Sequence, residues 1–301
     1  MQSLSRGWSF LTEAWKMALA DKDLIKPSIY ALFVGFVVSL IGVIPIALAA
    51  LLLGTKGLIA QAILAFLGAL LVFAQYAVTY IFSAMTVSLI YGYLSEGDGR
   101  MDKAWAMVQR DWLDLLSLAA ASTLVNIVRN LVRGNRRNRN LIGEAISNLI
   151  DTLWTEATYL VLPIMVIEDV NLKDGLQRAT YIAKSNLLLI GVSTVGVRWM
   201  TGLIGFVLGA LGLLVGFGIA FPIISLAGDS TPLILVAVVL GVLAASVFFM
   251  FASVINTYTS TAYHTCLYLW ARDVEKAQAG QQAAFPAQIT APRPLAAVLG
   301  N

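Results

Sequence analysis

Residues 57–95, beginning "GLIAQAILAFLGALLVF", pass from Gly57 to Ser95 without one charged side chain. As a single helix rising 1.5 Å per residue, that run is about 60 Å long, twice the hydrocarbon core of a bilayer. Water is no solvent for such a segment. In a membrane it has to tilt, protrude or break. Its second half turns polar and aromatic, with Gln75, Tyr76, Thr79, Tyr80, Ser83, Tyr91 and Tyr93. Tyrosine concentrates at membrane–water interfaces, so this half is expected at the inner leaflet and its interface.

The rest of the chain has the same character. Hydrophobic residues make up 59% and charged residues 12% of the sequence, where soluble domains carry about 25% charged residues. The expected class is all-α, a polytopic transmembrane helical bundle over residues 1–272 with a disordered cytoplasmic tail at 273–301. The runs 28–53, 57–95, 113–133, 141–167, 187–224 and 231–270 read as six spans, the third and fourth being the weakest. The N-terminal stretch does not read as a signal peptide, because the first apolar run is too long for one. A net charge of +3 gives no global field for nucleic acid. The single cysteine, Cys266, excludes an intrachain disulfide. Together with the single histidine, His264, it excludes any standard zinc set. No metal and no cofactor is expected.

Short amphipathic stretches recur between the spans. "AWKMALAD" (14–21), "AWAMVQRD" (104–111) and "ATYIAKSN" (179–186) share a pattern and each precedes a leucine-bearing span. The expectation is a unit of one interfacial helix and two spans used three times, at 1–96, 97–168 and 169–272. In the first, Trp8, Leu11, Trp15 and Ala18 or Leu19 fall at helical spacing, as in a helix lying in the headgroup region with its rings down. Trp8, Trp15, Trp105, Trp112 and Trp270 are expected to form an aromatic belt at one membrane face.

Charge sets the topology. With six spans and both termini cytoplasmic, thirteen of the 20 basic residues lie inside. Lys56 and the five arginines of "RNLVRGNRRNR" (Arg129, Arg133, Arg136, Arg137 and Arg139) lie outside, so the positive-inside rule fails at that one loop. A rival arrangement lets 113–167 dip into the membrane from the cytoplasm as a hairpin and leaves Lys56 alone outside. The repeat favours six spans. In either case Ser122, Asn126, Arg129 or Asn130, and Arg133 form a polar stripe. Glu144, Asn148, Asp151 and Thr155 form its counterpart on the return, with Arg129 expected opposite Glu144. Arg133, Arg136, Arg137 and Arg139 are candidates for lipid headgroup contact.

Two charges fall deep in spans. Glu156 and Arg198 both lie about 17 Å from the inner boundary, and buried charge needs a partner, so a Glu156–Arg198 pair is expected. The fifth span carries Gly205, Gly209, Gly212 and Gly216, small-xxx-small steps that admit another helix, within the chain or in a second copy. No Walker, Rossmann, zincin or nucleophile-elbow pattern occurs. His264 and Cys266 point to different sides of a helix, so no catalytic residue is assigned.

The stretches "ATYLVLPIMVIEDVNLKDGLQRATYIAKSN" (157–186) and "RGWSFLTEAWKMALADKDLIKP" (6–27) resemble a family of prokaryotic six-span integral membrane proteins of unassigned function. That family is itself distantly similar to the membrane domain of glycerophosphodiester phosphodiesterases. The resemblance implies an all-helical multipass protein of the cytoplasmic membrane and carries no catalytic residues. The expected function is non-enzymatic membrane organisation or binding of lipids or a partner. A lipid-handling permease is the alternative and a membrane-embedded enzyme the third. The expected partners are membrane lipids and a protein partner or second copy, not nucleic acid.

Overall fold

In the computed structural model, residues 2–133, 141–185, 187–228, 230–279, 291–292 and 294–296 are described. The stretches 2–6, 141–142, 183, 185, 187–198 and 278–279 are described for their backbone alone. Among the described residues there is no strand. The helices are α1 (Gln2–Ala20), α2 (Lys26–Leu53), α3 (Leu58–Glu96), α4 (Met101–Arg133), α5 (Leu141–Glu168), α6 (Leu172–Ser185), α7 (Leu187–Ala227) and α8 (Thr231–Ala279), with a short 3-10 turn at Lys22–Leu24. Six of them, α2, α3, α4, α5, α7 and α8, contain segments long and apolar enough to cross a membrane, and α4 and α5 are the least hydropathic. The protein is a polytopic helical membrane protein. α2–α3, α4–α5 and α7–α8 pack as three hairpins.

Local sequence explains where helices stop. Asp21 ends α1 and its carboxylate accepts from the amides of Asp23 (2.9 Å) and Gly99 (2.8 Å), tying the α1–α2 turn to the α3–α4 turn. Pro27 sits in the first turn of α2, where its missing amide costs nothing. Gly97 adopts a φ of 83° and closes α3, a backbone that side chains resist. No glycine or proline lies between Met101 and Arg133. The amphipathic stretch 104–111 is therefore continuous with its span in α4, where a separate interfacial helix was expected.

The bundle has a packed end and a far end. At the packed end α1, the start of α4, α6 and the last turns of α3, α5 and α8 surround a core that includes Phe10, Leu24, Ile90, Leu118, Ile164, Tyr258, Tyr263 and Trp270. α1 does not lay its rings into lipid as expected. It buries Phe10, Ala14, Met17 and Ala18, with Phe10 edge-on to Tyr263 at 5.3 Å. Trp15 turns inward too, its indole N–H donating to Thr259 Oγ1 at 3.3 Å. Trp270 is 1% exposed, so the belt loses these two members, while Trp8, Trp105 and Trp112 remain half-exposed. Among the described residues of 273–301, α8 continues to Ala279, and Ala291 and Leu295 are buried in the core. An ionic clasp closes this end. Arg178 of α6 donates to Glu275 of α8 and to Glu168 of α5, and the Tyr268 hydroxyl donates to Glu168 at 2.6 Å. The Glu275 carboxylate holds the Arg178 guanidinium well above its usual range.

At the far end each hairpin stands largely by itself. Leu51, Leu52, Leu58 and Leu226 are 80–88% exposed, a surface that suits acyl chains. The α7–α8 pair approaches through glycine. A Cβ on Gly216 would meet the Gly241 carbonyl oxygen at 2.5 Å, one on Gly212 the Phe248 Cβ at 2.8 Å, and one on Gly209 the Phe249 ring at 3.2 Å. Gly205 meets nothing within 4 Å, so three of the four expected glycines face α8 and the fourth does not.

The hairpins also differ in length. Tyr76 of α3 meets Asn126 of α4 at 3.5 Å. From that level α3 continues outward to Leu58, ~27 Å, whereas α4 reaches Arg133 after only ~10 Å. Thr261 of α8 and Thr158 of α5 line one cavity. From it α8 runs ~45 Å out to Thr231 and α5 ~26 Å to Leu141. Arg133, the last described residue of α4, thus stands about 17 Å short of Leu58 along the helix direction, and Leu141 of α5 about 19 Å short of Thr231.

Candidate functional site

The polar stripes of α4 and α5 do meet, in a register shifted from the expected one. Arg129 pairs with Asp151, not Glu144. Glu144 stands 3.9 Å from Arg133 instead. Asn130 donates to Asn126 at 2.9 Å, and Ser147 Oγ donates to the Arg129 carbonyl at 3.4 Å. A symmetric fold about residue 137 misses these pairs by about one to two helical turns. Real helices cross at an angle, so ladders of facing residues do not follow a fixed sum. Arg136, Arg137 and Arg139 lie outside the described residues.

The stripes do not form a closed seam of two helices. α3 joins them. Ser122 of α4 sits at the junction: the Tyr80 hydroxyl lies 2.6 Å from its oxygen, and the Trp154 indole N–H donates to it at 2.9 Å. Tyr76 and Tyr80 stack with ring centroids 5.9 Å apart. Beside them α3, α5 and α8 enclose a furrow of about 190 Å³. Its polar and aromatic walls are Tyr76, Thr79, Tyr80 and Ser83 of α3, Asp151, Trp154, Thr155, Thr158 and Tyr159 of α5, and Thr261 of α8, with Val87, Leu162 and Pro163 completing it. Thr79 and Asp151 are exposed at its mouth, while Ser83 and Thr158 are buried at its back. The sequence contained a signal for the α3 wall. Positions 76, 79, 80 and 83 recur at three and four residues, one face of a helix.

Behind the furrow lies the only histidine. His264 Nδ1 is 2.7 Å from the Ser260 carbonyl oxygen, one turn back. A carbonyl accepts only, so Nδ1 carries hydrogen. Nε2 then faces Glu156 Oε2 at 3.8 Å. Tyr159 stacks on the imidazole at 4.5 Å and Tyr263 meets it edge-on at 5.0 Å. Glu156 had been assigned to Arg198, whose side chain lies outside the described residues. The histidine had been set aside with Cys266, which is fully buried.

A larger concavity, about 710 Å³, lies at the packed end between Glu13, Lys16, Tyr91, Tyr93, Arg272, Asp273 and the tail residues Ala291, Pro292 and Pro294. Its fourth wall is the chain's own docked tail, which makes it a packing seam. The furrow is smaller but is lined by hydroxyls, aromatic rings and the Asp151 carboxylate on α3, α5 and α8. Among the described residues no three histidine, cysteine or carboxylate side chains converge as a metal site would need.

No family model matches the chain, and no curated protein resembles it closely enough to be matched.

Proposed function

We propose that this is a non-enzymatic lipid-binding protein of the prokaryotic plasma membrane, with both termini cytoplasmic. The observation that carries the reading is the furrow with the Arg129–Asp151 pair at its mouth. A cavity of this size is too small for a whole lipid, since pockets for drug-sized ligands run to about 300–1,000 Å³. It accepts one polar headgroup while the acyl chains stay in the bilayer outside. Arginine offers a planar fork to phosphate, and hydroxyl oxygens line the furrow beside it. Orientation is supported by charge. Lys16, Lys22, Arg100, Lys103, Arg110, Lys173 and Arg178 lie at or beside the packed end, against Lys56, Arg129 and Arg133 among the described residues toward the far end. The family resemblance of 6–27 and 157–186 belongs to the same proposal.

The test is lipid retention. The full chain, purified in mild detergent, is extracted and its phospholipid measured by mass spectrometry beside Arg129→Ala and Thr155→Leu. Retained phospholipid in the parent, reduced in both variants, is expected. A parent that retains none, in preparations that remain folded, contradicts the reading. One further observation favours a permease as the second reading: the Glu156–His264 pair next to Tyr159, a furrow wall. Titratable groups behind an intramembrane cavity mark proton-coupled pathways. Transport that survives Glu156→Gln with an unchanged pH profile would exclude that role.

A further inference from the structure

The tail closes the seam at the packed end without filling it. About 710 Å³ stays open between Glu13 and Lys16 of α1, Tyr91 and Tyr93 of α3, Arg272 of α8 and Pro292 of the tail. Pockets for small molecules run to about 300–1,000 Å³, so the volume suits a ligand of that size.

Arg272 is the residue that this opening leaves incomplete. Its guanidinium carbon stands 5.7 Å from the Tyr91 ring centroid and 6.0 Å from that of Tyr268, a cation held against two aromatic faces. Its Nε is buried without a hydrogen-bond partner. The Asp273 carboxylate is 3.9 Å from Nε, too far to accept a hydrogen bond. The other cations nearby are better matched. Arg178 holds two carboxylates, and Lys16 meets Glu13 at 2.6 Å. Only 20% of the Arg272 side chain is exposed, and it lines the opening. A charged donor mostly removed from water and short of acceptors is destabilising, and an oxyanion in the opening relieves it.

Helix length sets where the opening stands. Along α3, Leu58 to Tyr91 covers ~50 Å, and along α8, Thr231 to Arg272 covers ~62 Å. Leu58 and Leu226, 86% and 88% exposed, suit lipid at the far end. A hydrocarbon core of about 30 Å measured from there ends ~20 Å before Tyr91 and further still before Arg272. The headgroup layer adds only about 5–8 Å, and a helix tilt of about 20° takes away only a few Å. The opening therefore faces water, beyond the reach of headgroups.

Charge narrows the ligand. Lys16 and Arg272 are balanced by Glu13 and Asp273, so no excess positive charge awaits a polyphosphate. A single phosphate matches the Arg272 fork and presents enough oxygens to meet Lys16 on a separate wall as well, whereas a carboxylate presents two in one plane. Met17, Leu269 and Pro292 offer apolar contact to an organic body.

We infer that this opening is a binding site for a small soluble phosphate monoester, anchored by Arg272. The inference goes beyond the lipid-binding reading and does not rest on the furrow.

The experiment titrates phenyl phosphate into the full chain in phosphatidylcholine nanodiscs and follows binding by calorimetry. Saturable binding is expected, and none to a folded parent overturns the site. Arg272→Lys keeps the charge and loses the fork; it is expected to weaken binding about tenfold or more, the loss of a charge-assisted hydrogen bond. Lys16→Gln, at an exposed position that leaves folding alone, is expected to weaken it several-fold. Unchanged affinity in both variants overturns the assignment, as does a loss of binding in Thr155→Leu, which alters only the furrow. Benzoate is expected to bind more weakly, and equal affinity overturns the phosphate class. ATP binding much tighter than phenyl phosphate overturns the choice of a single phosphate. Phosphatidylglycerol added to the discs is expected to leave the affinity unchanged; competition would put the site among headgroups and overturn the soluble source. Slower hydrogen exchange at 291–296 on saturation is expected because the tail is a wall of the site, and exchange that does not change places the ligand elsewhere.

Discussion

The packed end and the far end are built from the same helices and obey different rules. α8 shows both. Near Thr231 its side chains face outward as Leu233, Leu235, Val236 and Val239, all about half-exposed. From Tyr258 to Ala271 it is almost wholly enclosed by protein. Acyl chains solvate leucine as well as another leucine does, so apolar burial does not drive helices together in lipid. What closes the far end is fit: glycine against glycine in α7–α8, and Gln75 of α3 donating to the Gly35 carbonyl (2.8 Å) and to Ser39 (2.7 Å) of α2. At the packed end, aromatic cores, hydroxyl bonds and the Arg178 clasp do the joining. The α4–α5 hairpin is intermediate, polar like the packed end but projecting among the apolar hairpins, and the functional proposal arises there.

This contrast can be broken by substitution. The largest effect is expected from Trp270→Ala, which opens a cavity in the packed core and costs about 3–5 kcal/mol. Leu51→Ala, on the lipid-facing far end, is expected to stay within about 0.5 kcal/mol because lipid fills the space. Thermal midpoints in one detergent compare the two, and equal losses would erase the distinction. Next comes Gly216→Leu. Its Cβ alone would stand 2.5 Å from the Gly241 carbonyl oxygen, and forcing the helices apart costs about 1–3 kcal/mol or more. Gly205→Leu, with open space before it, serves as the control and is expected to be neutral in the same unfolding assay. Asp151→Asn follows. Asp151 is about half-exposed and such pairs contribute about 0–1 kcal/mol, so its effect is expected on lipid retention rather than on the midpoint. The smallest global effect is expected from Leu295→Ala. It loosens the tail's seat, read as faster hydrogen exchange at 291–296 with the bundle's midpoint unmoved.

Much of the architecture is legible in the sequence because the bilayer imposes it. The charge-free run 57–95 becomes one unbroken helix, Leu58–Glu96, and six apolar runs become six long helices. Pairwise geometry is less legible. Periodicity says which face a residue occupies but not the angle at which two helices cross, so Arg129 found Asp151. Amphipathicity in α1 was visible, but its partner was not. A Trp-bearing face suits headgroups and an aromatic core equally, and Tyr258 and Tyr263 decided for the core. The furrow needed three helices from distant parts of the chain. Its α3 wall was readable as a polar face, yet nothing in the sequence placed that face against Asp151 and Thr155.

The central claim is that the described outer ends of α4 and α5 lie deeper in the bilayer than the outer end of α3. Spin labels at Val132→Cys and, separately, Leu58→Cys, each in a Cys266→Ser background and in vesicles, report depth through relaxation by oxygen and by a water-soluble nickel chelate. The account predicts that position 132 lies on the order of 15 Å deeper than position 58, at 1.5 Å per helical residue, yet is reached by the nickel chelate. Equal depth for the two labels, or a deep and dry position 132, would contradict it.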